Sequence, residues 1–219
     1  KFDVELEPNI ADEGRHLRST LFGHRPVWIA ASTHDGEEQQ VLQAHRSLLE
    51  KHPDLLLVLV PRHPERFSGV RELIERWGFG VVSRTERRYC DANHEVFLVD
   101  TMGEVPLFFA ASDVAFVGGS LVPIGGHNLL EPAAQGLPIV TGPHVFNAPE
   151  IADSFVKLGA CRIVSNSDEL ATTVSDLIER PDEAGKIGKN GFAVLEQNRG
   201  ALKRLLVLLE PLLAKETTD

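Results

Sequence analysis

Cysteine is almost missing from this chain, which has two, Cys90 and Cys161, far apart and without CxxC spacing. That leaves no basis for a disulfide framework or a thiolate metal centre, and it fits buried or incidental thiols of a reducing compartment. Clusters of Lys and Arg are missing too. With 22 basic against 32 acidic residues the formal net charge is −10, which argues against a nucleic-acid surface. No apolar run reaches the length of a membrane span, and no signal peptide is recognisable. Neither the dinucleotide fingerprint GxGxxG nor the Walker loop GxxxxGKS/T occurs, so the two commonest phosphate readers are disfavoured. Internal repeats and low-complexity tracts are also absent. The first residue is Lys1 rather than methionine, and the sequence reads as a fragment of something longer.

What is present is an ordinary soluble composition, 42% hydrophobic and 25% charged over 219 residues, enough for one full core. Short apolar runs at Val27–Ala31, Leu55–Val60, Phe79–Ser83, Val96–Val99, Val114–Val117, Leu137–Thr141 and Arg162–Val164 read as strands. Helical patterns separate most of them: Asp12–Leu21, Glu37 to about Lys51, Phe67–Trp77, Val105–Ala111, Ala148–Leu158, Ser167–Glu179 with Ser167 as N-cap, and Pro181 to about Gln197. Arg84–His94 reads as a polar, mobile connection. Strand, polar loop and helix thus recur. The expected fold is α/β, a doubly wound, mostly parallel Rossmann-like sheet with C-terminal helices. Residues 1–25 are expected to be a linker segment, 26–198 the Rossmann-like domain, and 199–219 a C-terminal packing helix carrying the stripe Leu202, Leu205, Leu206, Leu208 and Leu209.

The stretch Val114–Pro149 concentrates the polar chemistry. A strand runs into Gly118-Gly119, then Gly125-Gly126, which is expected to open directly into a helix beginning His127-Asn128-Leu129-Leu130-Glu131. Glycine lets backbone N–H groups approach a ligand, and a helix start adds unpaired donors. That combination suits a phosphate, and the alternative is that the glycines only make tight turns. The next strand ends in a second polar loop, Gly142–Asn147, so two adjacent strand ends carry candidate ligand loops.

Other candidates follow from position. Arg62, directly after the second strand between Pro61 and Pro64, suits a phosphate contact, with His63 a weaker neighbour. Ser32 and Thr33 offer hydroxyls to a phosphate or sugar, or merely end a strand. Glu131 is placed to accept two hydrogen bonds from a ribose, or is only an acid near a helix start. His127, Asn128, His144 and Asn147 suit a sugar carboxylate or hydroxyls, or brace loops. A zinc site from His34, His63, His127 and His144 lacks ligand spacing, and no metal is expected.

At three places the sequence resembles a known family. Trp28–Glu38 (WIAASTHDGEE), Pro61–Arg66 (PRHPER) and Phe116–Pro132 (FVGGSLVPIGGHNLLEP), continued by Gly142-Pro143-His144 and Phe146-Asn147, are similar to the C-terminal half of the 3-deoxy-manno-octulosonic acid (Kdo) transferases. Leu129 departs from the proline that the family often carries there. The resemblance implies the nucleotide-sugar half of a GT-B glycosyltransferase, with CMP-Kdo as donor and a lipid A precursor as acceptor at the cytoplasmic face of the bacterial inner membrane. It further implies inversion at the anomeric centre without a cofactor or metal, and a cytosine reader near Met102-Gly103-Glu104. Gly125, Gly126, His127, Asn128, Glu131, Arg62, His63, Ser32 and Thr33 complete the implied donor site. The acceptor site, membrane-anchoring segment and proposed catalytic base, a glutamate, belong by resemblance to an N-terminal half, so this chain is expected to bind donor without turnover and to meet the membrane only as part of the longer protein. A stand-alone nucleotide-binding module and a GT-B-like UDP-sugar epimerase or transferase remain open alternatives.

Overall fold

A computed structural model describes residues 9–198. The predicted helix over 201–210 lies outside the described residues. Along the chain come α1 (Ile10–Leu21), β1 (Val27–Thr33), α2 (Glu37–Lys51), β2 (Leu56–Pro61), α3 (Phe67–Arg76), β3 (Val81–Ser83), β4 (Val96–Leu98) and α4 (Val105–Ala110). They are followed by β5 (Val114–Val117), α5 (Leu130–Ala134), β6 (Ile139–Thr141), α6 (Pro149–Lys157), β7 (Cys161–Ile163), α7 (Ser167–Glu179) and α8 (Pro181–Asn198).

Among the described residues the strands form one sheet in the order β3-β4-β2-β1-β5-β6-β7, and every pairing is parallel. Parallel strands joined by helical crossovers are covered on both faces, which is why β1, β2 and β5 are apolar at nearly every position. The pleat divides them. Trp28 and Ala30 of β1, with Leu57 and Leu59 of β2, pack with residues of α2, α3 and α7. Their alternates Val27, Ile29, Ala31, Leu56, Val58 and Val60 pack with Leu17 and Leu21 of α1 and with Phe108 and Phe109 of α4. At the β6–β7 end Ile139 meets α5, α6 and α8 through Ala133, Phe155 and Val194.

Of the expected linker 1–25, residues from Ile10 form α1, which is tied to the sheet. The Arg18 guanidinium donates to both oxygens of Asp113, at 2.6 and 2.7 Å, and Asp113 also accepts the Val27 N–H at 2.8 Å. Asn166, not Ser167, caps α7, because its side chain accepts the N–H groups of Asp168 and Glu169. The polar connection after β3 begins as a 3-10 turn, Arg84–Glu86, closed by a reciprocal Ser83–Glu86 capping box. Both cysteines are buried, at 0% exposure for Cys90 and 5% for Cys161. Burial pushes each thiol up to about 11. No helix among the described residues is long and apolar enough to cross a membrane.

The chain leaves β1 for β2 on one side, and β5 later enters on the other. The crevice at the carboxyl ends of β1 and β5 is therefore the topological switch point, where open parallel sheets take ligands.

Candidate functional site

A cleft of about 290 Å³ opens at this switch point. Seven of the sequence-predicted residues line it: Ser32, Arg62, Met102, Gly103, His127, Asn128 and Glu131. Thr33, His63, Glu104, Gly125 and Gly126 do not.

Ser32 reaches the cleft wall through a bulge. The β1–β2 register shifts between Ala31 and Thr33, and Ser32 takes φ 59°, a left-handed conformation that a non-glycine residue adopts at a cost of about 1–3 kcal/mol. Thr33 falls behind the wall, fully buried, with a hydroxyl that makes no hydrogen bond.

The glycine pairs behave differently from expectation. Their N–H groups turn inward. The N–H of Gly119 donates to Glu37 Oε2 at 2.7 Å, and those of Ser120 and Leu121 donate to Oε1 at 3.0 and 2.9 Å. Three successive donors thus form an anion-binding nest already filled by a carboxylate of the protein, and Glu37 is 0% exposed. Burial pushes the Glu37 carboxyl up, and the backbone donors act against that rise. Gly118 is glycine for a steric reason, since a Cβ would stand 2.7 Å from Glu37 Oε2. Gly125 and Gly126 donate at 3.1 and 2.8 Å to the carbonyl of Gly119 instead of facing the cleft. At φ 109° Gly125 lies against Asn147, whose side-chain amide donates to the carbonyls of Ile124 and Gly126 at 3.1 and 3.2 Å, so Asn147 is a loop brace.

No helix begins at Gly126. The α5 helix starts at Leu130, and Asn128 makes the turn before it by accepting the Leu130 N–H at 3.0 Å. The Asn128 amide donates to Glu131 Oε1 at 3.0 Å, which orients that carboxylate at the cleft.

Charge around the cleft is mostly paired off. Arg66 grips the buried Glu38 with both guanidinium nitrogens, at 2.5 and 3.0 Å, and also reaches Asp35 at 3.2 Å. Glu104 accepts from Arg84 at 2.8 Å and from the Thr101 hydroxyl. Burial works against its charge, but these donors outweigh it and hold the carboxyl low. The expected base reader is thus reduced to Met102 and Gly103. Arg62 differs. It is exposed and makes no side-chain hydrogen bond or ion pair with any described residue.

Beside Arg62 stand three imidazoles. His34 Nε2 and His127 Nε2 are 2.7 Å apart with nearly parallel rings, and His63 packs edge-on against His34 at 5.3 Å. Burial, then the neighbouring His34, Arg62 and His63, push His127 down to about 4. Among the described residues no three His, Cys, Asp or Glu side chains are placed to share a metal ion. His144 is held apart in the next loop, its N–H on the Ser120 carbonyl at 3.1 Å.

Sequence reasoning missed Glu37, the His34–His127 pair and the apolar part of the wall, Val60, Val105 and Phe109. A signal for Glu37 existed: an acid at the start of the helix after β1, opposite a glycine pair after the neighbouring β5.

Comparison with known proteins fits this geometry. Residues 24–194 match the family of glycosyl transferases group 1. The 3-deoxy-D-manno-octulosonic acid transferase of Haemophilus influenzae is 44% identical over 98% of this chain and 51% of its own length. That of Bordetella pertussis is 34% identical over 96% of this chain and 50% of its own. The chain therefore spans about half the length of these curated relatives. The C-terminal CMP-Kdo binding domain of WaaA from Acinetobacter baumannii, known from its crystal structure, superposes with a TM-score of 0.81 at 34% identity, over 86% of this chain and 99% of that domain.

Proposed function

The chain belongs to the glycosyl transferases of group 1, as a GT-B domain akin to the C-terminal half of the Kdo transferases, and from that premise we propose that its cleft binds CMP-Kdo for transfer to a lipid A precursor. The observation that carries the reading is Arg62, an unpaired guanidinium at the switch-point cleft where the neighbouring carboxylates are engaged. A phosphate is the partner it lacks.

The roles follow from placement. Arg62 meets the phosphate, whose charge grows as the bond to the sugar breaks and the electron pair moves onto a phosphate oxygen. A fixed cation aimed at that oxygen favours the transition state over the ground state. Glu131, held by Asn128, accepts the ribose hydroxyls, and Met102 and Gly103 lie against the base. Ser32 and His127 meet the phosphate or the sugar. Gly125 and Gly126 serve by shape, allowing the 118–129 and 142–147 loops to approach. The acceptor, the base that deprotonates it and the contact with the inner membrane's cytoplasmic face belong to the part of the longer protein that this chain does not contain, so the chain alone binds donor without turnover.

Calorimetry with CMP, CTP, UMP and UDP tests the reading. Tighter binding of the cytidine nucleotides is expected, and equal or reversed affinities overturn the assignment.

A further inference from the structure

Two imidazole nitrogens 2.7 Å apart form a hydrogen bond only if one carries a proton and the other does not. The His34–His127 pair therefore accepts at most one added proton without breaking. Its surroundings decide when it does so. From the loop after β2 it is faced by Arg62 and His63, and by Arg66, all cationic or able to become so. On the α2 side Glu38 is occupied by Arg66, and Glu37 Oε2 accepts the His34 N–H at 3.2 Å while held by the Gly119 nest. Exposed Asp35 is bonded to Arg66, and Glu131 is bonded to Asn128. No free carboxylate offsets a charge on the pair, so the empty cleft keeps it neutral. A phosphate beside Arg62 would be that missing anion.

We propose that His34 is a positioning residue for His127, and that the pair takes up one proton when a doubly charged phosphate enters the cleft. This rests on the nucleotide reading above and extends it, because His127 lines the cleft whereas His34 stands behind it. The consequence is selective. A phosphodiester such as the donor carries one negative charge and draws the proton weakly; the phosphomonoester left after transfer carries two and draws it strongly. An anion at this range raises a histidine by about one to three pH units, enough to charge a pair that is neutral in the free protein.

The test is calorimetry of CMP binding at pH 7 in buffers of different ionisation heat, which counts the protons exchanged. A phosphate monoester has its second pKa near about 6, so the ligand alone can only release a small fraction of a proton. The wild-type chain is expected to take up roughly half a proton or more per CMP, and none with cytidine. His34→Gln and His127→Gln are expected to abolish the uptake or reverse its sign, while His63→Gln keeps it. Buffer-independent heats with intact CMP binding overturn the proposal, as does equal uptake with cytidine or unchanged uptake in folded His34→Gln protein. The CMP–cytidine comparison needs no variant and decides the matter if a substitution prevents folding. Failure of the wild-type chain to bind CMP overturns the nucleotide reading itself, and the proton coupling with it.

Discussion

The Gly119 N–H donates to Glu37 Oε2 at 2.7 Å across the boundary between β5 and β1. With Ser120 and Leu121 it places three backbone donors on one carboxylate that water does not reach. Glu37→Ala would leave three buried N–H groups without a partner, each costing about 1–3 kcal/mol. A loss on the order of 3 kcal/mol or more is expected, read as a lower urea midpoint at unchanged slope. A loss below about 0.5 kcal/mol, the level of an ordinary surface substitution, would show that the nest does not hold the loop.

Arg62→Ala is expected to weaken CMP binding by about 1.5 to 3 kcal/mol, the range for a hydrogen bond to a charged group. Cytidine binding should stay nearly unchanged, because only the phosphate loses its partner. Equal losses for nucleotide and nucleoside, measured by calorimetry, would assign Arg62 to the scaffold instead.

For Glu131 the decisive comparison is with 2′-deoxy-CMP. If the carboxylate, oriented by Asn128 at 3.0 Å, accepts both ribose hydroxyls, Glu131→Gln weakens CMP binding and the loss shrinks with the deoxy ligand. The coupling expected from such a cycle is about 1 to 3 kcal/mol. Strictly additive effects would remove Glu131 from the ribose.

Acid stability should carry the mark of Glu86. Burial opposes its charge, but hydrogen bonds from Arg71, the Ser83 N–H and Arg88 outweigh that and bring it from 4.5 to about 2. A folded value below the unfolded one means that the native state binds fewer protons. The contribution is thus complete above 4.5 and is lost as pH falls towards 2. Denaturant titrations between those limits should show a shallower decline for Glu86→Gln than for the wild type; parallel declines would count against the assignment.

Much of this was legible before any coordinates, and the reasons are local. The runs at Val27, Leu56 and Val114 are apolar on both faces because helices cover both, so their periodicity and the polar residues after them located the strand ends and with them Arg62 and Ser32. Boundaries were harder. Asn166 and Ser167 are both good caps by type, and only the backbone extension at Asn166, with φ −160°, decides between them. The glycine pairs were correctly read as special but for the wrong partner: a sequence shows that donors can gather after β5, not that Glu37, 82 positions away, already fills them. The helix expected at His127 failed likewise, because Gly126 at φ 77° and the Asn128 side chain delay α5 to Leu130. The His34–His127 contact depends on two loops meeting across 93 positions, which no local pattern encodes.

The buried thiols have a practical corollary. Cys90 and Cys161 are the chain's two cysteines, and both are shielded and held at about 11, so hardly any thiolate exists near neutral pH to meet a maleimide. The wild-type protein is thus already silent towards such reagents. A single cysteine introduced at Met102 or Phe146, 56% and 59% exposed, would be the one reactive thiol, and a fluorophore attached there could follow nucleotide entry without any native cysteine first being replaced.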